Sequence, residues 1–121
     1  MILFSNSLHL LQHKKDEIKG FLYKMAKEVK FFSKGLYYKR YFVLNFHTQY
    51  LCIQDDIVSK KIVKIPFQRL LYIDAVQSHD PKVSKVSCPW KYSFALMTTD
   101  RKYFLFARTD EERFLWMSSF Y

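Results

Sequence analysis

Between Gly20 and Ala107 the chain breaks into seven short β-rich runs of five to nine residues, and this constrains the fold more than any other feature. The runs fall at 20–26, 37–45, 50–54, 61–67, 70–76, 92–98 and 102–107. In the first, Gly20, Leu22 and Lys24 share one face. In the second, Arg40, Phe42 and Leu44 face one way and Lys39, Tyr41 and Val43 the other. That alternation is the period of a half-buried strand. Pro66 restricts the fourth run to an edge, a bulge or an end. Asp55-Asp56 and Asp100-Arg101 mark turns, and a long polar loop is expected over 77–91. Seven short strands at this spacing predict a sandwich or barrel.

One helix follows. Thr109-Asp110-Glu111-Glu112 reads as a capping box, with the Thr109 hydroxyl accepting from the third helical N–H and Glu112 reaching back. Asp110 and Glu111 suit the positive end of the helix dipole. Trp116, Phe120, Met117, Tyr121 and Phe114 are expected to pack on the sheet, leaving Leu115 outside that arc.

At 121 residues the chain holds one core, and its 23 Phe, Tyr and Trp residues rule out a disordered chain. Residues 1–18 differ from the rest. Phe4, Leu8 and Leu11 recur at helical spacing among polar neighbours, predicting a short amphipathic extension before a domain at 19–121. No run of about 18 uncharged apolar residues occurs, so no membrane-spanning helix is expected. Neither a secretory leader nor a lipidation motif is apparent. Cys52 and Cys88 are expected as free thiols in a reducing, cytoplasmic setting. His9 and His13 form the only close histidine pair, so no metal site and no cofactor are expected. No nucleophile elbow, P-loop or zincin motif occurs, and no catalytic residue is assigned.

Twenty Lys and Arg against eleven Asp and Glu give a net charge of +9. Residues 19–40 carry seven of the cations (Lys19, Lys24, Lys27, Lys30, Lys34, Lys39 and Arg40) against one acid, Glu28. Clustered charge implies an anionic partner.

Four segments in order resemble the pleckstrin homology (PH) domain family. Gly20-Phe21-Leu22-Tyr23-Lys24 is similar to its G-x-L-x-K first strand. Tyr37-Tyr38-Lys39-Arg40-Tyr41-Phe42-Val43-Leu44 is similar to W-x-x-R-W-F-V-L, with Tyr in place of both Trp. Phe94-Ala95-Leu96 and Tyr103-Phe104-Leu105-Phe106-Ala107 resemble strands six and seven. Thr109 to Trp116 resembles the T-x-x-E-R-x-x-W helix. The resemblance implies a mainly β, seven-stranded bent two-sheet barrel capped by one C-terminal helix, with loops ringing the opposite mouth.

It also implies a non-enzymatic binding module. Phosphoinositide-binding members carry K-x(n)-[K/R]-x-R-x-hydrophobic across strands one and two. Lys24 matches the first position and Arg40 the last, while Tyr38 occupies the middle basic position and brings no charge. Arg supplies a bidentate fork for a phosphate and Lys a point charge. Lys27, Lys30 and Lys34 in the intervening loop are expected to steer toward anionic lipid, and Phe31 and Phe32 to insert. The expected partner is therefore a phosphoinositide-bearing membrane. The alternative is a protein-interaction module or a structural subunit of a larger, for instance cytoskeletal, assembly. Nucleic acid is disfavoured, because a terminal Trp helix does not suit an OB-fold.

Overall fold

The computed structural model describes residues 16–26, 37–75 and 88–120. The expected N-terminal helix, the loop residues Lys27, Lys30, Phe31, Phe32 and Lys34, and most of the 77–91 loop lie outside the described residues. Seven strands are described: β1 (Glu17–Met25), β2 (Tyr37–Asn45), β3 (Tyr50–Gln54), β4 (Ile62–Pro66), β5 (Leu70–Ala75), β6 (Tyr92–Thr98) and β7 (Lys102–Ala107). A 3₁₀ turn, Phe67–Arg69, links β4 to β5, and helix α1 (Asp110–Ser119) follows β7.

All pairings are antiparallel, in the order β4-β3-β2-β1-β7-β6-β5. β1 pairs with β2 along its whole length but with β7 only through Tyr23–Phe106 and Lys24–Leu105. That short ladder joins β4-β3-β2-β1 to β7-β6-β5, so the seven strands form one sheet where two were expected. Pro66 closes edge strand β4, where its missing N–H costs no ladder bond.

β1 starts at Glu17 rather than at Gly20. Ile18 lies opposite Leu44 and is buried, extending the Gly20–Leu22 face by one pleat. Glu17 and Lys19 fall on the other face, where they pair at 3.2 Å. The main core joins Ile18, Leu22, Phe42, Leu44, Leu51, Phe94, Leu96, Leu105 and Trp116. Each fully buried aliphatic or aromatic side chain contributes about 1.5–3 kcal/mol. A second cluster on the outer face holds Met25, Ala95, Phe104 and Phe106 beneath Tyr23, Tyr37, Cys88 and Trp90. β7 is therefore buried on both faces, which explains its unbroken apolar run.

In α1 the Thr109 hydroxyl accepts from Glu112 N–H at 3.1 Å, as the cap requires. The Glu112 carboxylate accepts instead from Arg108, at 2.9 Å. The apolar arc is centred on Trp116, with Leu115 and Met117 as its flanks, both packed on the core. Phe114, expected in that arc, is 64 % exposed. At 100° per residue Phe114 lies nearly opposite Trp116, whereas Leu115 and Met117 lie symmetrically about it.

Trp116 is 3 % exposed and meets Phe42 edge-on at 6.3 Å. A Cβ on Gly20 would stand 3.8 Å from the Trp116 ring, an ordinary contact, and Gly20 has no positive φ. Trp116→Ala is therefore expected to lower stability by about 3–5 kcal/mol. Gly20→Ala should change it by no more than about 1 kcal/mol. Urea unfolding of both variants checks the pair; a larger loss at Gly20 would contradict this packing.

Candidate functional site

Antiparallel pairing decides what meets at the rim where β1 ends. Lys24 sits opposite Tyr38, and Leu22 opposite Arg40. Directly paired residues share a face, so Lys24, Tyr38 and Arg40 project together. β3 runs back along β2, with Tyr41 opposite Gln54, so the β3–β4 turn returns to the same rim at Asp55. β7 runs antiparallel to β1, which brings the β6–β7 turn there as well.

Tyr38 is the centre of this arrangement. The Arg40 guanidinium carbon lies 4.9 Å from its ring centroid, and Lys24 Nζ lies 5.9 Å from it. An aromatic face attracts cations through its quadrupole. The uncharged residue at the middle basic position thus holds two neighbouring charges. Arg40 Nε also pairs with Asp55 Oδ1 at 3.2 Å, and its Nη1 donates to the Lys39 carbonyl at 3.0 Å. Asp55 is mostly exposed, so an incoming anion meets a surface carboxylate there, not a buried one.

Arg101 is a third cation of the cluster, and the strand-one and strand-two pattern gave no sign of it. Its turn is clamped by Thr98, whose hydroxyl accepts from Arg101 N–H at 3.1 Å and donates to Arg101 O at 2.9 Å. The guanidinium lies 4.2 Å from the Tyr103 ring centroid, and Nη2 donates to Met25 O at 3.5 Å. Its buried Nε has no hydrogen-bond partner among the described residues. The readable signal was topological: a hairpin turn beside the end of strand one.

Burial lowers the Lys24 pKa from 10.5, and Arg101 and Arg40 lower it further, against a smaller opposing pull from Asp55. Three like charges at one rim are mutually unfavourable until an anion joins them. Lys39 has alternated to the outer face, where it lies 4.9 Å from the Phe21 ring and 5.7 Å from the Trp90 ring. There it borders a separate cleft of about 350 Å³ with Lys19, Arg108 and Glu112. Near the outer cluster, burial pushes the Tyr37 hydroxyl up to about 12, with Cys88 adding to the shift. Cys52 and Cys88 are free thiols, both pushed up by burial. No cluster of metal-ligating side chains occurs among the described residues. No described helix is long and apolar enough to cross a membrane.

A family model described as PH domain matches residues 16–121. Among solved structures, the carboxyl-terminal PH domain of pleckstrin is 22 % identical with a TM-score of 0.63, over 85 % of this chain and 90 % of that one. The C-terminal PH domain of pleckstrin in complex with D-myo-Ins(1,2,3,5,6)P5 is 23 % identical with a TM-score of 0.63, over 85 % and 89 % of the two chains. The human PH domain of pleckstrin homology domain-containing protein family A member 5 is 26 % identical with a TM-score of 0.61, over 85 % and 72 %. Comparison with curated proteins found no match.

The lowered Lys24 pKa has a thermodynamic consequence. Between the folded value and 10.5 the unfolded chain binds more protons, so stability rises with pH across that window. Below the folded value both states are protonated, and the folded state bears the full cost of burying the charge and of its repulsion by Arg101 and Arg40. Lys24→Met is expected to be more stable than the parent near pH 7, by a margin that shrinks toward pH 10.5. Paired urea melts across that range read the margin. A variant less stable at neutral pH would show that Lys24 is a framework residue.

Proposed function

The chain belongs to the PH domain family, and from that premise we propose that it is a binding module that docks on anionic, phosphoinositide-containing membranes. Members of the family bind phosphoinositides or proteins, and one structural neighbour is a pleckstrin domain in complex with an inositol pentakisphosphate. The convergence of Lys24 and Arg40 on Tyr38, with Arg101 near enough to act on Lys24, supports this reading for the present chain. In it, Arg40 supplies the bidentate fork and Lys24 a point charge that an arriving phosphate relieves of repulsion. Arg101 supplies a donor already immobilised against Tyr103. Lys27, Lys30 and Lys34 add long-range attraction, each contributing roughly 1 kcal/mol near an anionic leaflet, and Phe31 and Phe32 contact the headgroup region. Tyr38 keeps two cations in place without adding a charge, which favours recognition of a charged surface over one tightly fitted headgroup.

A protein-docking reading draws on a different observation. Leu71 and Tyr72 are 55 % and 53 % exposed on edge strand β5, whose first residues lie beside the β6–β7 turn. A protein partner seated there would use the apolar edge and not require the cations.

Sedimentation with vesicles separates the readings. Arg40→Ala and Arg101→Ala are each expected to weaken binding to phosphoinositide-bearing vesicles by about tenfold to hundredfold, the loss of one charge-assisted contact. Asp55→Asn has the opposite sign. It frees Arg40 from an exposed pair worth about 0.2–1 kcal/mol, so affinity should rise by about 1.4- to fivefold. Absence of vesicle binding by the parent chain at low salt would eliminate the membrane reading.

A further inference from the structure

The turn joining β3 to β4 carries two aliphatic side chains that the core does not use. Ile57 is 61 % exposed and Val58 is 84 % exposed, and Ile62, the first residue of β4, is also exposed. Exposed neighbouring aliphatics at a tip call for an explanation that scattered surface leucines do not. We propose that this turn is a membrane-inserting tip, whose occupant is the headgroup and upper acyl region of an anionic leaflet. The inference rests on the membrane-docking reading and assigns the apolar contact to a turn that the strand-one and strand-two pattern does not include.

The backbone of the tip is already prepared for low dielectric. Gln54 Nε2 donates to the carbonyls of Asp56 at 2.8 Å and Ile57 at 3.1 Å. Val58 N–H donates to Asp56 Oδ1 at 2.9 Å, and Lys61 N–H donates to Ser59 Oγ at 3.2 Å. An unsatisfied backbone group costs several kcal/mol in hydrocarbon, so each of these pairings lowers the cost of bringing the turn to the interface. These bonds also hold the turn in one shape, so little ordering is required on contact.

Charge decides the kind of surface. Lys60 and Lys61 are exposed beside the aliphatic pair. Of the two acids of the turn, Asp55 pairs with Arg40, whereas Asp56 accepts from the Val58 amide and keeps its charge. The Asp55–Arg40 pair also ties the turn to the cation cluster, so a leaflet whose phosphates reach Arg40 lies next to Ile57 and Val58. Aliphatic groups flanked by lysines and set beside a phosphate-binding cluster match an anionic bilayer.

The test uses the full chain and an Ile57→Ser/Val58→Ser variant. The probes are vesicles of phosphatidylcholine, phosphatidylserine and mixed phosphoinositides, and, separately, soluble inositol hexakisphosphate. The variant is expected to lose about tenfold to hundredfold in vesicle affinity and nothing in affinity for the soluble anion. In the parent, lipids bearing a nitroxide should broaden the methyl resonances of Ile57 and Val58. Unchanged vesicle affinity in the variant overturns the insertion and leaves the docking reading intact. Parallel loss for vesicles and soluble anion also overturns it, since the turn then serves the phosphate site. Methyl groups beyond the nitroxide's reach overturn it and leave the tip to a protein partner. If the parent chain binds neither probe, docking and insertion both fall.

Discussion

Two residue pairs, Tyr23 with Phe106 and Lys24 with Leu105, join β1 to β7 and so connect one half of the sheet to the other. Everything at the rim depends on where that junction lies. Because it uses the last residues of β1, the β6–β7 turn is carried to the place where β2 begins. Arg101 thereby enters the neighbourhood of Lys24 and Arg40, although some sixty residues separate it from Arg40 in the chain. The outer face at the same junction is sealed by Met25, Ala95, Phe104 and Phe106. A well-packed junction is stiff, so the cations it positions do not drift apart under their mutual repulsion.

That repulsion is contained rather than removed. Tyr38 and Tyr103 present ring faces to three cations, and Asp55 offers one exposed carboxylate. Cation–π contacts at such sites contribute about 0.5–1 kcal/mol each, which holds geometry without neutralising charge. A buried acid at the same place would stabilise the fold more and leave no field for an anion to enter. The Lys24 pKa is lowered first by burial and then by Arg101 and Arg40. Functional sites commonly retain instability of this kind.

Strand content was legible because half-buried strands alternate: the faces read for residues 20–24 and 37–45 hold in the structure. The helix cap was legible because Thr109 to Glu112 fixes a local geometry. Three features were not. The start of β1 was hidden because Glu17 and Lys19 look like a polar linker until their pairing on the outer face is seen. The helix arc was misplaced toward Phe114 because hydrophobicity alone counts a Phe on either side of Trp116 equally, and the position of the sheet breaks that tie. Arg101 was missed because linear patterns record neighbours within a strand pair, whereas its contribution arises from the return of β7. Ile57 and Val58 carry no periodic signal at all, since a two-residue tip is too short to have one.

Forces of different range operate at the one rim. In the proposed docking, charge acts across about 8 Å at physiological salt, so the rim cations would orient the domain before contact. Apolar burial acts only on touching, so aliphatic groups contribute nothing to approach and a great deal to residence. On the proposed reading a turn tied to Arg40 through Asp55 would couple the two: a phosphate that displaced Asp55 would act on the very segment that carries Ile57 and Val58. Occupancy of the cation cluster and engagement of the aliphatic tip would then be linked equilibria. By reciprocity, whatever free energy phosphate adds to insertion, insertion adds to phosphate binding. Such a module would discriminate a charged bilayer from a free inositol phosphate even with a modest affinity for the headgroup itself, because only the bilayer satisfies both halves of the rim.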